Sequence, residues 1–205
     1  MRNKRIKILD CTLRDGGYYN NWDFYQDLVE TYLKAMDQAS IDVVEIGFRS
    51  PPSRSFMGPY LYSQDDYLEK LPLPKKAQIG VMINAKEYLK AADKPKELIN
   101  KLFQPAECSP VGLIRVAINF EKALEAKVLT CELKELGYQV GLNMMQSHGK
   151  KKEQYEQTAQ QIAEWGTVDV LYFADSLGNM DPVHISFICS AIQNFWSGPL
   201  GIHTH

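Results

Sequence analysis

The sequence predicts an α/β fold of parallel strands, each followed by a helix, and within that class a (β/α)8 TIM barrel rather than an open sheet. Apolar runs of strand length alternate with longer amphipathic stretches along the whole chain, the mark of parallel strands joined by right-handed crossovers. No G-x-G-x-x-G or G-x-x-x-x-G-K-[ST] follows any strand, so the phosphate-cradling turns of the open-sheet nucleotide folds are missing. Polar residues instead crowd the C-terminal ends of the strands: Arg14 and Asp15, Arg49, Asn84, Asn119, Gln146, Asp175, and His203 with His205. A barrel gathers those ends at one mouth, where catalytic groups sit.

Strands are expected over residues 6–13, 43–48, 78–84, 113–119, 140–145, 170–174 and 200–205. Each reads as a nearly continuous apolar run, as strands covered on both faces do. Helices are expected between them, over 22–39, 65–70, 95–103, 121–136, 151–165 and 182–195. In the fourth helix Ala123, Ala126, Val128, Leu129, Leu133 and Leu136 recur at helical spacing beside Glu121, Lys122, Glu125, Lys127 and Lys134, giving one stripe for the sheet and a solvated remainder. Gly137 stands just past the last periodic position, as a left-handed stop.

With 205 residues, 45% of them hydrophobic, 23% charged and a formal net charge of -2, the chain has the profile of a globular protein. It carries no basic footprint for nucleic acid. No apolar run approaches the roughly 20 residues of a membrane span. Four scattered cysteines, without C-x-x-C spacing, indicate neither a zinc knuckle nor a disulfide framework. Reduced thiols and the lack of a signal-peptide core point to the cytoplasm.

His203-Thr204-His205 is the sharpest local feature, because alternate strand residues share a side and two imidazoles so placed can grip one ion. A carboxylate from another strand end would supplement them, and Asp15 is a candidate. Asp10 lies inside the first strand, where an uncompensated carboxylate is costly, so a partner such as Arg14 or a metal-site histidine is expected beside it.

Asp10-Cys11-Thr12-Leu13-Arg14-Asp15-Gly16-Gly17 resembles the strand-one signature of the metal-dependent aldolase, lyase and synthase barrels related to hydroxymethylglutaryl-CoA lyase, isopropylmalate synthase and 4-hydroxy-2-oxovalerate aldolase. Val44-Glu45-Ile46-Gly47-Phe48 resembles their second strand, the segment from Ala174 through Asp175 to Met180 their sixth, and Gly201-Ile202-His203-Thr204-His205 their seventh. The motifs fall in the family's order across nearly the whole chain, and the sixth-strand wording is most similar to the 4-hydroxy-2-oxovalerate aldolase branch.

The resemblance implies a divalent cation, manganese first with magnesium or zinc as alternatives, held by Asp15, His203 and His205. It further implies that Arg14 faces an enolate, that Glu45 belongs to the polar network around Arg14, and that Asp175 lies near the substrate. The activity so implied is cleavage or formation of a carbon-carbon bond of a 4-hydroxy-2-oxo acid, with 2-oxo acid and aldehyde as the small-molecule partners. Acyl-CoA-dependent synthase or lyase chemistry, and an inactive metal-binding barrel used for assembly, stand as alternatives. Family members associate as homo-oligomers, and some pair with a dehydrogenase. One position departs from the branch: where those aldolases have a histidine assigned as general base, this chain has Tyr18, a poorer base at neutral pH that could orient a substrate hydroxyl instead.

Other polar residues carry open expectations. His148 is a loop histidine or else a substrate or base residue, and His184 is expected on the outer side of its helix. Arg49 and Arg54 are either substrate-carboxylate contacts or surface cations. Arg115 and Asn143 could point inward as a polar layer. Because a (β/α)8 barrel usually takes about 250 residues, the 205 residues are expected to be a truncated barrel domain, or a partly ordered part of a longer protein, ending in the seventh strand.

Overall fold

A computed structural model describes residues 6–91 and 94–204. The chain alternates strands β1 (Leu9–Asp10), β2 (Val43–Phe48), β3 (Gln78–Asn84), β4 (Leu113–Asn119), β5 (Gln139–Met145), β6 (Val170–Ala174) and β7 (Leu200–His203) with helices. The α-helices are α1 (Thr12–Gly16), α2 (Gln26–Gln38), α3 (Pro59–Tyr62), α4 (Asp65–Leu68), α5 (Ala85–Lys90), α6 (Pro95–Leu102), α7 (Lys127–Glu135), α8 (Lys152–Trp165) and α9 (Pro182–Gln193). No helix among the described residues is long and apolar enough to cross a membrane.

Contacts divide the chain into two compact units, the first Met1–Ile83 with Lys101–Ile114, the second Asn84–Asn100 with Arg115–His205. In the first, β1, β2 and β3 pair in parallel in chain order. Every residue of β2 is buried, with Val44 and Ile46 wholly so, and Val29 and Leu33 of α2 are buried with them. The β2–β3 register shifts between Glu45 and Gly47, a bulge of the kind that re-aims a side chain. A Cβ on Gly47 would lie 2.1 Å from the Tyr60 carbonyl oxygen, so only glycine lets α3 sit this close to β2. In the second unit, which takes in β4 from Arg115 onward, β5, β6 and β7 follow in order, with parallel register Asn143 to Tyr172 and Ala174 to His203. Leu142, Leu171 and Phe173 fill its core with Leu129 and Leu133 of α7 and Ile162 of α8.

Several expectations require correction. The first strand is two residues, not eight: Ile6 and Ile8 are exposed, and the Asp10 carboxylate accepts from the Thr12 backbone N–H at 2.9 Å, turning the chain into α1. Asp10 is satisfied by Thr12 and by the Tyr32 hydroxyl, not by Arg14. The helix expected over 121–136 starts as a 3-10 stretch, Phe120–Ala126, and Val128 of the anticipated stripe is exposed. Gly137 does adopt a left-handed φ of 89° beyond α7. Asn84, the last residue of β3, also caps α5 by accepting from the Lys86 N–H.

Candidate functional site

At the end of β1 the chain turns directly into α1, and this turn stacks Asp15 over Cys11, whose carbonyl accepts from the Asp15 N–H at 2.9 Å. Gly17 follows because the Trp22 ring lies where its Cβ would be, 2.0 Å away. Trp22 packs edge-on against Tyr18 and Phe48, and its indole N–H donates to the Arg14 carbonyl at 2.9 Å. The backbone under Arg14 is thereby fixed.

Arg14 is 5% exposed and Glu45, on the bulge of β2, is fully buried. The Arg14 Nε donates to Glu45 Oε1 at 2.8 Å, Nη1 pairs with Asp15 Oδ1, and the guanidinium lies 5.7 Å over the Phe48 ring. Burial alone would lower the Arg14 pKa, but the carboxylates of Glu45 and then Asp15 outweigh it and raise it, so the cation is permanent. Asp15 keeps a third of its side chain exposed. Its second oxygen, Oδ2, accepts from the Cys11 thiol at 3.2 Å. Burial pushes that thiol up to about 12, with Arg14 opposing and the Asp15 and Glu45 carboxylates adding.

The structure therefore brings Arg14, Asp15 and Glu45 together. Tyr18 is 65% exposed, its ring edge-on to Trp22 and Phe48. Cys11 escaped the sequence analysis as a site residue. The available signal was its place four residues before Asp15, one helical turn away.

In the second unit, Asp175 follows β6 and its N–H donates to the His203 carbonyl at 2.9 Å, joining it to β7. Its carboxylate oxygens each accept a backbone N–H at 3.0 Å, Oδ1 from Asn179 and Oδ2 from Met180. Burial raises its pKa, but these donors, with Gly178 and His148, outweigh burial and hold the carboxyl below the usual range. Asp175 thus folds its own loop. His203 is half-buried on β7, and His205 lies outside the described residues.

His148 packs edge-on against His184 at 5.1 Å, and His184 Nδ1 lies 2.9 Å from Asp181, the residue that caps α9. His184 is half-exposed on its helix. Arg49 is buried, donating to the Ser63 carbonyl at 2.6 Å and pairing with Asp65 over the Phe103 ring; it is consumed by the fold, while Arg54 is exposed. Arg115 and Asn143 are both buried, with the Arg115 guanidinium 4.4 Å over the Tyr172 ring. All four cysteines are free thiols.

No family model matches the chain. It is 26% identical over 208 residues to a 4-hydroxy-2-oxovalerate aldolase of Geobacillus genomosp. 3, covering 100% of this chain and 58% of the relative. A protein of the same name from Pelotomaculum thermopropionicum is 27% identical, covering 98% of this chain and 57% of its own. The chain thus spans little more than half the length of the curated relatives it matches. Among solved structures, the N-terminal domain of a proposed aldolase from Bacteroides vulgatus is 33% identical with a TM-score of 0.86, covering 98% of this chain and 64% of that one. The carboxyl transferase domain of Rhizobium etli pyruvate carboxylase, solved with pyruvate, has a TM-score of 0.74 at 14% identity over 100% of this chain and 36% of that one. The latter likeness is one of fold.

Proposed function

We propose that this chain, a member of the hydroxymethylglutaryl-CoA lyase-like aldolase superfamily, carries the catalytic corner of a divalent-metal-dependent aldolase acting on a 4-hydroxy-2-oxo acid. The observation that carries the proposal is the buried Arg14 guanidinium, held by Glu45 on one side and Asp15 on the other. Cleavage next to a 2-oxo acid develops enolate charge, and a preorganised cation that needs no reorganisation stabilises it. Glu45 sets the direction of that cation, and Trp22 fixes the backbone beneath it.

Asp15 offers an oxygen from α1, and the donor set expected with it is His203 and His205, a carboxylate-imidazole combination that suits manganese or zinc. A cation held there supplies positive charge toward the 2-oxo and carboxylate oxygens of the substrate. In this reading Tyr18, exposed beside Trp22 and Phe48, orients the 4-hydroxyl. Asp175 shapes the β6 loop that borders the substrate. The same proposal includes a TIM-barrel domain, self-association, a small 2-oxo acid and an aldehyde as reaction partners, and a cytoplasmic setting.

The test is pyruvate release from 4-hydroxy-2-oxo acids with added manganese, followed with a coupled dehydrogenase. Turnover that falls at least about a hundredfold in Arg14→Lys and Asp15→Asn is expected. A rate in the unaltered protein no higher than in Asp15→Asn would sink it. Tyr18 at the position of a histidine favours a second reading, a metal-binding barrel without turnover. Tight metal binding with no release from any 4-hydroxy-2-oxo acid would select that one.

A further inference from the structure

We infer that Cys11 is itself a metal ligand, joining Asp15 so that the site takes a thiolate-accepting divalent cation such as zinc, cobalt or iron(II). This rests on the metal-dependent reading above, and specifies which ion the site selects. Three features of the first unit carry it.

The Cys11 sulfur and Asp15 Oδ2 are 3.2 Å apart. Two donors at about 2.3 Å (sulfur) and about 2.1 Å (oxygen) from one cation stand about 3.1 Å apart at a right angle and about 3.6 Å apart at the tetrahedral angle. The pair is thus already at the separation of adjacent ligands. Asp15 Oδ1 is turned to Arg14, and Oδ2 is the oxygen that faces the sulfur. Finally, Cys11 and Asp15 sit one turn apart, with the Asp15 N–H bonded to the Cys11 carbonyl, so the backbone brings both side chains onto one face.

Ligation replaces the thiol proton with the cation between the same two atoms. The S–H bond breaks, the proton goes to solvent, the sulfur lone pair forms the S–metal bond, and no electron is transferred. A cation drives this ionisation, because coordinated thiols are deprotonated outright. Thiolate ligation favours zinc, cobalt and iron(II) over the harder manganese and magnesium, so the metal preference should differ from that of an all-oxygen-and-imidazole site.

The experiment is a titration of the full chain with cobalt(II) alone, under reducing, oxygen-free conditions, followed by absorbance. Visible d–d bands report cobalt binding, and an intense near-ultraviolet thiolate-to-cobalt band reports sulfur ligation. Both are expected in the unaltered protein and in Cys108→Ser, which removes an exposed thiol elsewhere. Cys11→Ser should lose the near-ultraviolet band and bind cobalt at least about tenfold more weakly, with manganese affinity changed less than about threefold. Cys11→Ala, with circular dichroism on both variants, separates ligand loss from misfolding. Visible bands without the near-ultraviolet band in the unaltered protein, or that band surviving in Cys11→Ser, overturns the Cys11 assignment and leaves the metal site standing. Failure to bind cobalt at all overturns both.

Discussion

The corner at β1 and β2 and the loop after β6 solve the same problem, holding a buried carboxylate on or just after a strand, by opposite means. Glu45 is fully buried and answered by a side chain, the Arg14 guanidinium. Asp175 is answered by backbone, the N–H groups of Asn179 and Met180. A side-chain partner can be deleted by one substitution, whereas backbone donors can be taken away only by unfolding the loop. The first arrangement is rigid but vulnerable to one substitution. The second survives substitution nearby and responds to pH.

The largest expected effect follows from breaking the first. Arg14→Ala takes the guanidinium away from the buried Glu45 carboxylate and should cost about 3–5 kcal/mol in denaturant unfolding, with Glu45→Gln in the Arg14→Ala background recovering part of it. A loss under about 1 kcal/mol would mean water reaches Glu45 and would erase the contrast. Next comes Gly47→Ala, whose methyl group would meet the Tyr60 carbonyl. It should destabilise by about 1–3 kcal/mol by thermal unfolding, and a neutral outcome would show that α3 moves freely from β2. Trp22→Phe removes the donor to the Arg14 carbonyl and should cost about 1–2 kcal/mol, with the fall in turnover exceeding that expected from stability alone.

The smallest effect tests the second arrangement. Because Asp175 is held below the ordinary carboxylate range, its contribution is complete above about pH 4 and is lost as pH falls through its lower folded value. Amide exchange at Asn179 and Met180 should therefore accelerate only in acid, while exchange in β2 stays slow. Protection of the two amides that is already lost at neutral pH would break the comparison.

How much of this was legible beforehand depended on what each segment buries. Strands β2, β3, β4 and β6 have the expected bounds because a covered parallel strand is apolar along its whole length. The first strand misled because Ile6, Ile8 and Leu13 look continuous, whereas the carboxylate of Asp10 bends the chain locally. Helices α3 and α5 are too short for hydrophobic periodicity to register. The Arg14, Asp15 and Glu45 cluster came from motif resemblance, since nothing in spacing alone joins residues 14 and 45. Arg49 resisted because a strand-end arginine looks the same whether it meets a substrate or, as here, Asp65. Cys11 was hidden by a search for paired cysteines, when its relevant neighbour was a carboxylate.

The seating of Trp22 on Gly17, with its indole N–H on the Arg14 carbonyl, gives the corner an optical reporter of its own. The chain has three tryptophans, and this one is bonded to the residue that carries the proposed electrophile. Any occupant that draws on Arg14 perturbs the dipole at that indole and shifts its emission. With Trp165 and Trp196 replaced by Phe, fluorescence would then follow occupation of the corner before any bond in the substrate breaks.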